Sequence, residues 1–324
     1  MSEVEIIGTG SYAPNNIVKN SDLALQVDTS DEWISLRTGI KERRISSGES
    51  TASIAAKAAE RAMLDANIKA EDIDIIIVGT STTDDFVYST ACNIQKEIGA
   101  KNAFCFDISA ACTGFIYALN IASQFIKTGQ CKTALIIGAE VLSKIMDWTD
   151  RNTCVLFGDG AGAAILRSSE RKGINYIFTK SDGSKGDVLN CPALEVKNPY
   201  ISEGRETKSY ISMNGKEIFK FATGVVVDGI NEALNAAQCE LSEIKYIITH
   251  QANIRIIDFV AKKLGISMDK FYINLDRYGN TSAASIPIAL DELGKTGNLK
   301  SGDKLILVGF GGGLTWGAAL ITWK

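Results

Sequence analysis

One offset, 171 residues, returns at three separated places along this chain and limits what it can fold into. Residues 51–80 lie without a gap on residues 222–251, pairing Ala62 with Ala233, Ile73 with Ile244, Ile76 with Ile247 and Ile77 with Ile248. The same shift puts LIIG (135–138) on ILVG (306–309) and VEII (4–7) on NYIF (175–178). A repeat of this kind predicts two similar halves, here 1–172 and 173–324, with the polar stretch RSSERKG (167–173) as the seam. Runs of β-branched residues, such as IDIIIVG (73–79), TALIIG (133–138), YIITH (246–250) and KLILVG (304–309), alternate with helical stretches such as TASIAAKAAERAMLDANI (51–68). That alternation is the pattern of an α/β fold. Two related halves that pack together should bring their strand ends to one cleft, where such folds gather ligands.

The same pattern locates the residues with chemistry. His250 is the only histidine; it closes YIITH, and NIRIIDFVAKKLG (253–265) after it reads as a helix. A histidine there is either a hydrogen-bonded structural group or a working one. FCFDISAACTGFIYALNIASQFI (104–126) reads as a strand, a small-residue elbow, then a helix with Phe115, Leu119, Ala122 and Ile126 on one face. Cys112 stands where that helix begins, and the exposed N–H groups of a helix start favour thiolate over thiol. A buried structural cysteine is the alternative. Asn280 sits in a Tyr-Gly-Asn-Thr-Ser turn before a second small-residue helix start, which by itself is ordinary turn chemistry.

Two glycine-rich stretches, FGDGAGAAIL (157–166) and VGFGGGLTWGAALITW (308–323), lack the Gly-Lys-Ser/Thr of a P-loop and run into strand-like residues. Tight turns and close backbone approach are expected there. GTGSYA (8–13) fits G-x-G-x-x-A after a strand, with Asp28 about 20 residues on. Pro14-Asn15-Asn16 follows it, however, where a dinucleotide fold needs a helix. Seven cysteines, an odd number without a C-x-x-C pair, disfavour a disulfide framework and a structural zinc site. Free thiols and an N-terminus without a basic-then-apolar leader lead to an expected cytoplasmic location. No apolar run approaches the ~18–20 residues of a membrane span, and a net charge of −4 argues against nucleic acid as a partner.

Taken in order, DEWISLRTGIKERRI (31–45), DISAACTGF (107–115), FGDGAGA (157–163), THQANIRI (249–256), YGNTSAASIP (278–287) and GFGGGLTWG (309–317) resemble β-ketoacyl-acyl-carrier-protein synthase III over nearly the whole chain. That family is the initiating condensing enzyme of bacterial type II fatty acid synthesis and is thiolase-like. The resemblance implies two duplicated βαβαβαββ halves in a layered α-β-α-β-α sandwich, in agreement with the repeat, and a homodimer. It implies Cys112 as the nucleophile, His250 and Asn280 as its partners, and the Cys112 and Gly312 amides as the oxyanion hole. A Cys-His-His site cannot be assembled from one histidine, and no cysteine follows Cys239 to serve as the second cysteine of a thiolase. The implied substrates are acyl-CoA and malonyl-acyl carrier protein, with no metal or redox cofactor.

Further roles follow from the resemblance alone. Trp33 and Arg151 match positions that hold the CoA adenine, and Arg37 matches a phosphate contact. Lys220, Arg255, Lys262 and Lys263 would form a basic patch for an acidic carrier protein. In TTDDFVYSTAC (82–92), Val87, between Phe86 and Tyr88, falls where the family carries an aromatic residue bounding the acyl pocket. A smaller residue there leads us to expect primers beyond acetyl. Other readings stay open: a Cys-His-Asn acyltransferase or polyketide or quinolone-type synthase of secondary metabolism, an NAD-binding oxidoreductase built on GTGSYA, or a non-catalytic partner subunit.

Overall fold

The computed structural model describes residues 2–196, 198–200 and 209–324. The first half builds a five-stranded sheet from β1 (Glu3–Tyr12), β2 (Ile75–Gly79), β3 (Phe104–Ile108), β4 (Thr133–Glu140) and β5 (Gly160–Ser169), in the order β1-β5-β4-β2-β3. The second half builds a four-stranded sheet from β6 (Ile174–Ser181), β7 (Ile244–Thr249), β8 (Lys304–Gly311) and β9 (Thr315–Thr322), in the order β6-β9-β8-β7. The two orders match strand for strand. Only β3 has no full counterpart, its place being marked by a single parallel bridge between Ile247 and Phe271. In the first sheet β2 pairs parallel with both β4 and β3, in the second β7 pairs parallel with β8, and the remaining neighbours pair antiparallel. The last strand of the first sheet ends at Ser169 and the first strand of the second begins at Ile174.

The main helices are α1 (Asp31–Thr38), α2 (Thr51–Ala66), α3 (Thr90–Ile98), α4 (Gly114–Lys127), α5 (Gly215–Ala237), α6 (Ile254–Leu264) and α7 (Ser285–Lys295). α2 starts where the Ser50 hydroxyl accepts from Ser53 N–H, and stops at Asn67, whose φ of 51° no helix continues. Its counterpart α5 stops 171 residues later at Gln238, with φ 50°.

Strand alternation sorts the apolar residues into layers. Ile75, Ile77 and Ile136 of one sheet, and Ile248, Leu305 and Leu307 of the other, face a shared centre filled by Phe115 and Leu119 of α4 and Leu290 and Leu293 of α7. Ile76, Val78 and Ile137 turn outward onto α2 and α3, while Ile247, Ile306 and Val308 turn onto α5 and α6. The result is the layered α-β-α-β-α sandwich of the thiolase-like fold. Residues such as Ile75 and Ile77 have no solvent exposure, each contributing about 1.5–3 kcal/mol from apolar burial.

GTGSYA is not a nucleotide turn. Gly8 and Gly10 lie against the backbone of α2, where a Cβ on Gly8 would come within 2.6 Å of the Ala62 carbonyl. The space a pyrophosphate needs is occupied by that helix. FGDGAGA is likewise a close-packing turn: buried Asp159 accepts from Ser46 N–H at 2.7 Å and from Ser143 Oγ at 2.7 Å.

Candidate active site

The central helices of both halves begin in the same unusual way. After β3, Ala111 adopts φ 45°, a short 3-10 turn (Ala111–Thr113) follows, and α4 starts at Gly114. In the second half, 171 residues on, Ser282 adopts φ 48°, the turn Ser282–Ala284 follows, and α7 starts at Ser285. Left-handed backbone costs a residue with a Cβ roughly 1–2 kcal/mol, and such strain gathers where a side chain must be aimed. The first turn presents Cys112; the second presents Asn280, Ser282 and Ser285. They meet because glycines of the adjacent strands leave room: Gly138 of β4 lies against Ala283, and Gly309 of β8 against Thr113.

Cys112, His250, Asn280, Phe310 and Gly312 line one cavity of about 770 Å³. His250 follows β7 directly, and its backbone N–H donates to the Val308 carbonyl at 2.8 Å. Nδ1 lies 2.7 Å from Ser285 Oγ, and the Phe310 ring packs edge-on with centroids 5.0 Å apart. Gln251 N–H also donates to Ser285 Oγ at 3.4 Å; with the hydroxyl proton directed at Nδ1, the ring proton sits on Nε2. Nε2 has no partner among the described residues. Burial pushes the imidazolium down to about 3, so the ring is neutral. Asn280 Oδ1 accepts from Ser282 N–H at 2.9 Å. That bond turns the amide NH2 away, and Nδ2 is without a partner among the described residues. Both donors belong to residues that line the cavity, where a ligand can take them.

Cys112 is buried, with the end of β8 against it: a Cβ on Gly311 would stand 2.8 Å from the Cys112 amide nitrogen. The helix start was expected to favour thiolate, yet burial pushes the thiol up to about 12, and the charge of Glu140 adds to the rise. Only the Ser282 hydroxyl and the cysteine's own amide pull the other way. Desolvation of the anion outweighs the turn's N–H groups, so the free site holds a thiol.

Glu140 was not singled out in the sequence. It closes β4, is fully buried, and accepts from Thr82 Oγ1 at 2.6 Å, Ser81 N–H at 3.1 Å and Ser282 Oγ at 3.1 Å. Its signal was there: one acidic residue ends the eight-residue buried strand TALIIGAE.

Of the other expected residues, Phe86 alone reaches the cavity wall. Trp33 is half-buried on α1, with the Arg37 guanidinium 4.6 Å and the Arg151 guanidinium 5.1 Å from its ring centroid. A ring held between Trp33 and Arg151 needs roughly 7 Å, two stacking distances of about 3.5 Å, so Arg151 must swing outward to admit one. Arg255, Lys263 and Lys220 are exposed. Lys262 is tied to Asp258 at 2.6 Å. Arg255 and Lys263 instead flank the exposed Phe259, four residues from each, which packs edge-on against Phe219 at the cavity wall. Phe86 lines the cavity, whereas Val87 is 99% exposed and Tyr88 43% exposed, both outside it. Among the described residues, no group of three His, Cys, Asp or Glu is gathered to hold a metal ion. No described helix is long and apolar enough to cross a membrane.

Residues 106–183 match the family described as 3-Oxoacyl-[acyl-carrier-protein (ACP)] synthase III, and residues 234–323 match its C-terminal family. A beta-ketoacyl-[acyl-carrier-protein] synthase III of Clostridium acetobutylicum is 60% identical over 323 residues, spanning 100% of this chain and 99% of its own. The crystal structure of 3-oxoacyl-[acyl-carrier-protein] synthase III from Aquifex aeolicus superposes with a TM-score of 0.93 at 47% identity, covering 99% of this chain and 100% of that one. The priming β-ketosynthase of the R1128 polyketide pathway superposes with a TM-score of 0.92 at 32% identity, covering 100% and 97%. With identity of this level running end to end, the chain belongs to the β-ketoacyl-[acyl-carrier-protein] synthase III family.

Proposed function

We propose that this protein condenses an acyl-CoA primer with malonyl-acyl carrier protein, the decarboxylative Claisen step that initiates type II fatty acid synthesis. The observation that carries the reading is the convergence of Cys112, an open His250 Nε2 and an open Asn280 Nδ2 on one cavity. Cys112 sulfur attacks the acyl-CoA thioester and keeps the acyl group as CoA leaves. The amides of Cys112 and Gly312 donate to the tetrahedral oxyanion. Malonyl thioester then enters and loses CO2, and the electron pair moves toward its thioester oxygen. Neutral His250 donates there through Nε2–H and Asn280 through Nδ2–H; an amide has no proton to lose, so its part is stabilisation. The resulting carbanion attacks acyl-Cys112 and releases the β-ketoacyl product. Acyl-CoA is a substrate, and these steps call on no metal or redox group.

In this reading, Trp33, Arg37 and Arg151 take the nucleotide end of CoA. The carrier protein docks on Arg255, Lys263 and Lys220 around Phe259, with Lys262 contributing less because Asp258 neutralises it. The enzyme is a cytoplasmic homodimer. The open edge of β3, with Phe104 43% exposed, is the face a second copy would extend. Val87 stands on the outer surface, so it bounds an acyl pocket only where a second copy brings one to it. A role in polyketide priming is the second reading, favoured by the likeness to the R1128 enzyme. The deciding experiment is intact-protein mass after incubation with acetyl-, butyryl- or isobutyryl-CoA, followed by malonyl-carrier protein. One adduct on the wild type, none on Cys112→Ala, and its discharge by malonyl-carrier protein are expected. No adduct with any primer would overturn the reading.

A further inference from the structure

The mechanism above leaves the buried acid Glu140 unused and one proton unplaced. Cys112 must lose its thiol proton to attack, and His250, driven down by burial, is a weak base. The side-chain hydroxyl that acts on the thiol is that of Ser282, which pulls the Cys112 pKa down and donates to Glu140 Oε1 at 3.1 Å. We propose that Glu140, acting through the Ser282 hydroxyl, receives the Cys112 proton as the sulfur becomes nucleophilic. This rests on Cys112 being the nucleophile of the reaction proposed above.

The step balances. The thiol proton passes to Ser282 Oγ while the Ser282 proton passes to Glu140 Oε1, and the sulfur electron pair forms the new bond to the thioester carbon. The carbonyl pair moves onto oxygen. Collapse of that oxyanion breaks the bond to the CoA sulfur, which takes the proton back along the same path and leaves Glu140 ionised again. Geometry holds the relay in place. Glu140 is rigid between Thr82 Oγ1 and Ser81 N–H, and Ser282 is fixed by its left-handed backbone and by the bond from its N–H to Asn280 Oδ1. Burial also raises the Glu140 carboxyl to about 7, where an acceptor is best matched to neutral pH. The other charged or titratable groups that line this cavity are His250, Asp84, Asp85, Cys191 and Lys144. Lys144 holds the Thr82 carbonyl at 2.7 Å and Asp84 at 2.9 Å.

The proposal fixes an unusual pH profile. Thiolate with neutral Glu140 carries the same number of protons as thiol with ionised Glu140, so its share stops changing once the carboxyl has titrated. Alkylation of Cys112 by iodoacetamide, read on its own peptide by mass spectrometry, should rise to about pH 7 in the wild type. It should then stay level between about pH 7.5 and about pH 8.5. In Glu140→Gln and in Ser282→Ala the relay is broken, and the rate should climb about tenfold over that same unit, as an isolated thiol does. Glu140→Asp, which keeps an acid, should restore part of the level stretch. A wild-type rate that climbs about tenfold across this unit, or variants that keep the level profile, would overturn the relay. Acetyl-CoA adduct formation on the wild type is measured in parallel. Its absence sinks the condensing reading, whereas an adduct with the wrong pH profile sinks the relay alone.

Discussion

Gly311→Ala tests the packing of β8 against the nucleophile. A Cβ there would stand 2.8 Å from the Cys112 amide nitrogen and 3.0 Å from its Cβ, whereas ordinary contact begins at 3.4 Å. One side must therefore give by 0.6 Å, and neither is soft: Gly311 is held in the ladder opposite Thr315 of β9, and Cys112 follows the strained Ala111. Overpacking of this kind costs about 1–3 kcal/mol of stability. A displacement of 1 Å in a reacting group costs about 100-fold in rate, so a shift of this size should slow acylation of Cys112 at least about tenfold. Gly309→Ala is the control. It crowds Ile116 and Thr113 at 3.1–3.3 Å without lining the cavity, so it should lower the melting temperature with a smaller effect on acylation. Stopped reactions with acetyl-CoA, read by intact mass, give the rates. A folded Gly311→Ala protein that acylates at the wild-type rate would refute the argument.

His250→Ala should still form the acyl adduct, yet lose about 100- to 1000-fold in condensation, because the open Nε2 serves the second half-reaction; equal loss in both halves would contradict this. Glu140 also predicts a stability profile. Its carboxyl is raised from 4.5 to about 7, so the folded state holds the proton more tightly than the unfolded chain. Its contribution to stability is then full below about pH 4.5 and declines as pH rises to about 7, by about 3 kcal/mol for this shift. Denaturant titrations should show that decline in the wild type and lose it in Glu140→Gln. Arg255→Glu and Lys263→Glu should each raise the KM for malonyl-carrier protein about tenfold and leave acylation from acyl-CoA unchanged. Lys262→Ala should do little to either, being an exposed paired charge.

Much of this was legible because the repeat carries geometric information. The repeat gave the two halves, the layered sandwich came only from the family resemblance, and Cys112 and His250 were conspicuous because each sits at the junction of an apolar strand and a small-residue turn. Two things escaped. The state of Cys112 depends on how much water the whole cavity excludes, a sum over both halves that no local pattern contains, so the pull of the helix start was overrated. Glu140 and Ser282 meet across 142 residues, and each reads alone as ordinary. Val87 escaped for a related reason: a local motif says which residues neighbour one another in the chain, not which way a loop turns its side chains.

The back-to-back turns have a mechanical consequence. Gly138 on Ala283 and Gly309 on Thr113 are contacts between the halves, and they are also the floor beneath the reacting groups. The site therefore cannot open at its base without parting the two sheets, and whatever mobility substrate entry requires has to come from the rim. Amide exchange at Thr113 and Ala283 should then follow global unfolding. A bound acyl group should in turn tighten both halves in step, so that a chain born of doubling melts as one.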